Sequence, residues 1–256
     1  MVRFDIADSV AAITLNRPEN LNTLTREMLG ELREIFRRIS REQVVRVVIL
    51  TGAGEEAFCA GMDLAELAAM GAEEATSAAR RVQDVCDSIE SCGVPVVAAV
   101  NGVAAGWGCE LVLACHIRIA SSNARFSLSE NQLAGVSIHK GIQRLKSVES
   151  QRVVVERMLA GDDVTADEAL RSGIINRVVP PERLLTEAEA FTREVSKLAP
   201  LAIRACLEAV LGGAELSLEE GLELEAQLFS GLFATEDMRE GTSAFLEKRA
   251  PVFKGR

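Results

Sequence analysis

The chain has 256 residues and carries 38 acidic against 28 basic side chains, which gives a formal net charge of −10. This length suits one large domain, or a core with a smaller appendage, that buries about 70 to 75% of the unfolded surface. The acidic balance argues against unaided binding to nucleic acid or to anionic lipid. Because the chain has two histidines, His116 and His139, and no tyrosine, we expect proton transfers to use carboxylates.

Four short runs rich in β-branched residues predict strands at Val10–Leu15, 44–50, 94–100 and 117–120. Segments of helical period lie between most of them, which indicates α/β alternation around a largely parallel sheet. The first predicted helix carries one apolar face, formed by Leu24, Met28, Leu32, Ile35, Phe36 and Ile39. A second helix is predicted around 73–89.

The later part of the chain changes to a helical pattern. A capping box at Thr165 opens a short helix that Gly173 closes, and a strand is predicted at 174–179. Further helix starts follow at Pro200, Ser217 and Thr235. We predict an α/β core over 1–195 and a helical region over 196–256. The apolar surface of that region would be explained by packing against a second subunit or against its own core.

The six cysteines include no CxxC pair, which argues against a disulfide framework or a zinc site. We expect reduced, partly buried thiols at Cys59, Cys86, Cys92, Cys109, Cys115 and Cys206. Neither histidine has neighbouring ligands for a metal, so both are interpreted as structural and no metal site is predicted. The N-terminus lacks a secretory signal, and no run approaches the roughly 18 apolar residues of a membrane span. A soluble, cytoplasmic protein without membrane partners is therefore expected.

Two strand-to-helix junctions carry the clearest chemical signal. The first covers 58–64 (FCAGMDL) and the second covers 101–110 (NGVAAGWGCE). Small residues at such junctions leave backbone N–H groups accessible at the positive end of a helix dipole. Two junctions that face each other would form an oxyanion hole, although each one alone is also compatible with an ordinary tight connection. Considered alone, Glu110 is explained as a carboxylate that the helix dipole stabilises, and Glu130 is explained as an exposed acidic side chain.

Five segments in order resemble the enoyl-CoA hydratase/isomerase, or crotonase, superfamily. They are 15–18 (LNRP), 58–64, 95–110, 126–130 (FSLSE), and 233–249 with its FATEDMREG and FLEKR motifs. The resemblance runs from the first strands to the C-terminus. It implies a crotonase-like spiral of ββα turns with a C-terminal helical trimerisation region, assembled as a trimer or a dimer of trimers. It also implies an acyl-CoA thioester as substrate, with no separate cofactor.

The resemblance places the chemistry on four residues. The backbone N–H groups of Met62 and Trp107 match the oxyanion-hole positions, and Glu110 and Glu130 match the two acidic positions of hydratases. Two donors can stabilise a thioester enolate while two carboxylates hold one water. We therefore predict reversible syn hydration of a 2-enoyl-CoA, with Glu130 protonating the α-carbon and Glu110 binding the water.

The same comparison assigns the CoA contacts. Ala60, Asp63 and Leu64 match positions that line the CoA site, and Phe245 and Lys248 match positions that reach the CoA of a neighbouring subunit. The alternatives are an enoyl-CoA isomerase, another crotonase-type reaction such as dehydration or decarboxylation, or a non-catalytic member that keeps the assembly.

Three departures from the family pattern bear on the site. Trp107 replaces a usual glycine, which would bring strain if the position needed a positive φ. The segment 137–141 (SIHKG) replaces a glycine-rich loop. Glu19 stands where a basic residue often meets the CoA phosphates, although a solvent-facing turn residue is an equal interpretation.

Overall fold

The computed structural model describes residues 1–42, 44–127, 144–145, 149–161, 163–214 and 216–256. The strands of this part of the chain are Val2–Ala7 (β1), Val10–Leu15 (β2), Val47–Gly52 (β3), Ala57–Cys59 (β4), Val96–Val100 (β5), Val103–Ala105 (β6), Ile117–Ser121 (β7), Arg125–Ser127 (β8), Val164–Thr165 (β9) and Arg177–Val179 (β10). The helices are Arg26–Arg41 (α1), Leu64–Ala68 (α2), Ala72–Glu90 (α3), Trp107–Ala114 (α4), Gln151–Ala160 (α5), Ala166–Ser172 (α6), Leu184–Val195 (α7), Pro200–Gly213 (α8), Leu218–Leu232 (α9) and Glu236–Glu247 (α10).

The strands form two sheets that the chain visits in turn. The larger sheet has the order β1-β2-β3-β5-β7-β10, and the smaller one has the order β4-β6-β8-β9. Strands β3, β5 and β7 pair in parallel, and so do β4, β6 and β8, which follow them in the chain. A helix follows β4 and β6, so the chain repeats a ββα turn and advances by one strand in each sheet. The predicted spiral of ββα turns is confirmed.

Both faces of the larger sheet are covered. On one face, α1, α3 and α4 pack on residues such as Val48 and Leu50 of β3. On the other face, Leu184 and Ala188 of α7 pack against Val47 and other buried residues of β3, β5 and β7. Parallel strands that are covered on both faces have continuous apolar sequences. This is why β3, β5 and β7 could be predicted from the sequence.

Several strand predictions were wrong. β1 was missed because its hairpin turns through Asp8 and Ser9, both with positive φ (48° and 64°), and this pair lacks the usual glycine signal. The strand predicted at 44–50 begins at Val47. The smaller sheet was missed because its strands have two or three residues.

The strand predicted at 174–179 is shorter than its apolar sequence suggests. Ile174 and Ile175 are buried, but the Ile175 N–H donates to the Ala169 carbonyl at 3.2 Å, at the end of α6. The pairing with β7 begins only at Arg177. The helix-start predictions are confirmed: Thr165 and Ser217 form capping boxes, and Thr235 accepts the N–H of Met238.

The C-terminal helices contribute little to the core. Within the described part of 196–256, the buried residues are Asp237 and Ala244. Arg46 connects this region to the sheet, because its guanidinium donates to the Ser196 carbonyl at 2.9 Å and to the Phe253 carbonyl at 2.6 Å. The division between 1–195 and 196–256 stays a prediction.

His116 has a structural role that makes stability depend on pH. Its Nδ1 accepts the Val96 N–H at 2.9 Å, so the proton lies on Nε2, which is 3.2 Å from the Glu90 carbonyl oxygen. Burial lowers the pKa of His116 below its ordinary value of 6.5. Because the unfolded chain then binds the proton more readily, the stabilisation is complete above about pH 6.5 and is lost as the pH falls below it.

We therefore expect the wild-type free energy of unfolding to fall between pH 7 and about pH 5, and we expect a smaller fall for His116→Asn. Urea unfolding at a series of pH values measures both. The His139→Asn variant removes the other histidine of the chain and is measured alongside as the comparison. Parallel curves for wild type and His116→Asn would show that His116 is not responsible.

The thiols are mostly buried, as predicted. Cys59, Cys86, Cys92, Cys109 and Cys115 are buried, whereas Cys206 is exposed. Burial raises the pKa of Cys59 and of Cys86 to about 12, which suppresses the reactive thiolate.

We expect a thiol reagent to modify no cysteine other than Cys206 until the protein unfolds, after which all six react. Ellman's reagent with and without denaturant measures the two counts, and Cys206→Ser should remove any native-state reaction. Rapid native reaction of the Cys206→Ser protein would contradict the burial of the other five.

Candidate active site

The two strand-to-helix junctions meet at one end of the smaller sheet. β4 and β6 pair in parallel, with Cys59 opposite Ala104, so both strands end side by side. Gly61 has a φ of +102°, and a Cβ at this position would lie 3.2 Å from the Ala105 carbonyl oxygen and 3.9 Å from the Trp107 nitrogen. The junctions that the sequence suggested are therefore in contact.

Met62 belongs to a bridge that leaves its own N–H out of the pairing. The Leu24 N–H donates to the Gly61 carbonyl at 2.7 Å, and the Asp63 N–H donates to the Leu24 carbonyl at 2.9 Å. The bridge thus fixes the backbone on both sides of Met62. Its N–H is oriented by these contacts without being used by them.

Trp107 is the first residue of α4, at the end of the helix that carries the positive pole of its dipole. The preceding residue, Gly106, has a φ of +49°, and its N–H donates to the Ser127 carbonyl of β8 at 2.8 Å. The positive φ therefore falls on Gly106, so the backbone strain considered for Trp107 does not arise. The indole is buried and packs with the main core.

α4 is buried on every side. All eight of its residues are buried, and Gly108 lies so close to β4 that an added Cβ would be 2.0 Å from the Cys59 carbonyl oxygen. Glu110, in the first turn, is fully buried. Its N–H donates to the Gly106 carbonyl at 3.1 Å, and the Cys86 sulfur of α3 lies 4.0 Å from the Glu110 carbonyl oxygen.

Several predicted features lie outside the described residues. They are Glu130, His139 and the 137–141 segment. The role of Glu130 as the second carboxylate therefore stays a prediction. Strand β8 ends at Ser127, which lies opposite Ala105 of β6.

The predicted CoA positions 60–64 form one rim beside α2. The Ala60 N–H donates to the Leu21 carbonyl at 3.0 Å, and Leu64 is exposed. Asp63 caps α2 by accepting the Ala65 N–H at 3.0 Å, and Arg17 contacts its other oxygen at 3.1 Å. The Arg17 hydrogen bond lowers the pKa of Asp63. None of the α2 residues is buried.

Phe245 and Lys248 lie elsewhere on the chain. Both are exposed, at the end of α10. Phe245 lines an apolar cavity of about 540 Å³ whose lining residues all come from 199–253, with none from 60–64. Within one chain, the structure does not join these two predicted residues to the rim at 60–64. Glu19 is exposed in the 3-10 turn Pro18–Asn20.

Two asparagines support the site and were not predicted. Asn22 is fully buried and donates to the carbonyls of Ala53 and Ala57 at 2.9 and 2.8 Å. Asn101 accepts the Gly52 N–H at 3.1 Å and also donates to Ala57, at 3.0 Å. Together they hold the turn that leads into β4. The Asn-Gly pair at Asn101 was a usable signal, whereas Asn22 has none in a single sequence.

Among the described residues, no group of histidine, cysteine and acidic side chains is arranged to hold a metal ion. In the same part of the chain, no helix combines the length and the apolar character needed to cross a bilayer.

The stacked ββα turns and the two touching junctions define an α/β enzyme of the crotonase fold. Residues 5–256 match the family described as enoyl-CoA hydratase/isomerase, so the chain belongs to this family. It is 37% identical to the (E)-benzylidenesuccinyl-CoA hydratase of Thauera aromatica, over 99% of both chains. It is also 37% identical to the short-chain-enoyl-CoA hydratase of Clostridium acetobutylicum, over 94% of this chain and 92% of that one.

The solved structures agree with these relatives. An enoyl-CoA hydratase from Bacillus anthracis superposes with a TM-score of 0.97 at 39% identity, and the match covers 100% of this chain and 99% of that one. An enoyl-CoA hydratase subunit from Geobacillus kaustophilus superposes with a TM-score of 0.93 at 37% identity, covering 100% and 98%. The predicted family and fold are confirmed.

Proposed function

We propose that this chain catalyses the reversible syn addition of water to a 2-enoyl-CoA thioester. The family, and relatives named as hydratases of such thioesters, support this reaction. The observation that carries the proposal is the contact between the two junctions, with Glu110 buried one turn into α4. The proposal takes its two backbone donors and one carboxylate from these junctions and the first turn of α4.

In this proposal the backbone N–H groups of Met62 and Trp107 donate to the thioester oxygen. They stabilise the enolate that forms when water attacks C3, and the loss of one such donor typically costs about 100- to 1000-fold in rate. Glu110 accepts the proton of the attacking water, and Glu130 delivers a proton to C2 on the same face. Ala60, Asp63 and Leu64 line the CoA site.

The test is a turnover screen with short, branched, aromatic and cyclic 2-enoyl-CoA thioesters. Hydration removes the conjugated double bond, so its absorbance falls and mass spectrometry finds a product one water heavier. A 3-enoyl-CoA substrate tests for the isomerase, because isomerisation creates the conjugated absorbance without a change of mass. Turnover of the 3-enoyl substrate alone would replace hydration by isomerisation, and CoA binding without any turnover would indicate a non-catalytic member.

We also propose that the chain forms a homotrimer or a dimer of trimers through its C-terminal helices. Helices α8, α9 and α10 expose large apolar side chains, including Val210, Leu218, Phe229, Phe245 and Leu246. Burial of this face against a second copy would remove apolar surface that a monomer rarely exposes. Sedimentation equilibrium should give a multiple of three subunits, and a monomer at micromolar concentration would contradict the proposal.

This assembly would allow Phe245 and Lys248 to reach the CoA of a neighbouring subunit. Within one chain, the cavity that Phe245 lines contains no residue of the rim at 60–64. A cytoplasmic location, expected from the reduced thiols, also stays a prediction.

A further inference from the structure

The last turn of α3 is held from two sides at Glu90. The Arg144 guanidinium contacts both carboxylate oxygens of Glu90, at 2.5 and 2.9 Å, and lies 3.5 Å from Asp87. On the other side, the Glu90 carbonyl oxygen is 3.2 Å from His116 Nε2, and the ring is itself held by the Val96 N–H of β5. Only 10% of the Arg144 side chain is exposed.

The preceding turn of α3 contacts the candidate catalytic helix. Cys86, next to Asp87 in the sequence, is fully buried, and its sulfur lies 4.0 Å from the Glu110 carbonyl oxygen of α4. α3 therefore connects Arg144 to the backbone of Glu110 through one helical turn. A small displacement of this turn would move the contact that Cys86 makes with the backbone of Glu110.

We propose that Arg144 is a positioning residue for the reaction. By holding Glu90 and Asp87, Arg144 keeps Cys86 against the backbone of Glu110. This contact in turn maintains the position of the Glu110 side chain. This inference rests on the proposed function of Glu110. It goes beyond an ordinary ion pair, because a pair that only stabilises the fold would change stability without changing kcat in the folded enzyme.

The first test compares Arg144→Met and Arg144→Lys with the wild type on the best 2-enoyl-CoA substrate. Because displacement of a reacting group by about 1 Å can cost about 100-fold, we expect kcat to fall about 10- to 100-fold in Arg144→Met, with KM within about twofold. Arg144→Lys keeps the positive charge but loses the two-point contact, so its kcat should lie between those of the wild type and Arg144→Met. The charge-swapped double variant Arg144→Glu/Glu90→Arg should recover activity relative to either single change.

The chain offers a matched control in a second two-point pair. Arg157 contacts both carboxylate oxygens of Glu149 at 2.8 to 3.1 Å, outside α3 and α4. Arg157→Met should lower the melting temperature while kcat stays within about twofold of the wild type. Equal losses of kcat in the two variants, or an unchanged kcat in Arg144→Met, would overturn the inference. Should Arg144→Met fail to fold, Glu90→Gln removes the partner's charge with little change of shape and takes its place.

A second readout does not depend on turnover. If Arg144 holds Cys86 against α4, native Arg144→Met should label at Cys86 at least about tenfold faster than the wild type, while Cys59 stays protected. Mass spectrometry after timed alkylation gives both rates. Unchanged Cys86 labelling would overturn the inference even in an active enzyme. Faster Cys86 labelling in a chain without hydratase activity would instead overturn only the proposed function.

Discussion

Glu110→Gln is expected to lower kcat for hydration by about 100- to 10,000-fold, the usual range for a lost general base. The amide keeps the shape of the side chain but cannot accept the proton of the attacking water. Because Glu110 is fully buried at the start of α4, no bulk water can take over this proton transfer directly. Initial rates of absorbance loss at saturating 2-enoyl-CoA measure the effect, and circular dichroism checks that the fold is intact.

The matched control is Glu34→Gln, which makes the same chemical change on the exposed face of α1. It should leave kcat within about twofold, because it lies outside the proposed machinery. Glu130→Gln should also lose activity if both carboxylates handle the same water. A Glu110→Gln enzyme as fast as Glu34→Gln would remove Glu110 from the mechanism.

Gly108→Ala is expected to lower kcat at least about 100-fold and the free energy of unfolding by about 3 kcal/mol. An added methyl group would lie 2.0 Å from the Cys59 carbonyl oxygen and 2.8 Å from its carbon. These are backbone atoms of β4, so either the strand or the start of α4 must move. Either movement separates the N–H groups of Met62 and Trp107, which the proposed oxyanion hole needs together.

Gly30→Ala provides the control, because a Cβ on this exposed residue of α1 meets no atom within 4 Å. There the substitution should raise the free energy of unfolding by about 0.5 to 1 kcal/mol through helix propensity alone. Urea titrations of both variants measure the difference. If both variants gained stability alike, the close approach of Gly108 to β4 would be disproved.

Sequence reasoning succeeded where one segment carries the complete signal. The capping boxes at Thr165 and Ser217 and the buried strands β3, β5 and β7 are local patterns of this kind. It failed where a nearby backbone group competes with strand pairing and where a strand is very short. Ile175 pairs with the end of α6 although its neighbours look like a strand, and the two-residue and three-residue strands of the smaller sheet are too short for periodicity to detect.

The candidate site shows the same division. The composition of the two junctions suggested backbone donors, but only the pairing of β4 with β6 shows that the junctions touch. The sequence could not show whether Trp107 adopts a strained, positive φ, because that depends on which residue of the turn carries the positive φ. The chain turns at Gly106, so a large side chain is tolerated one residue later.

The contrast between α4 and α2 bears on where this enzyme tolerates mutation. Every residue of α4 is buried, whereas α2, on the rim of the proposed CoA site, buries none. Random substitution should therefore be deleterious along α4 and mostly neutral along α2, because surface changes usually cost less than about 0.5 kcal/mol. Directed evolution would then find most of its accepted mutations on exposed segments such as α2, while the helix bearing Glu110 stays unchanged.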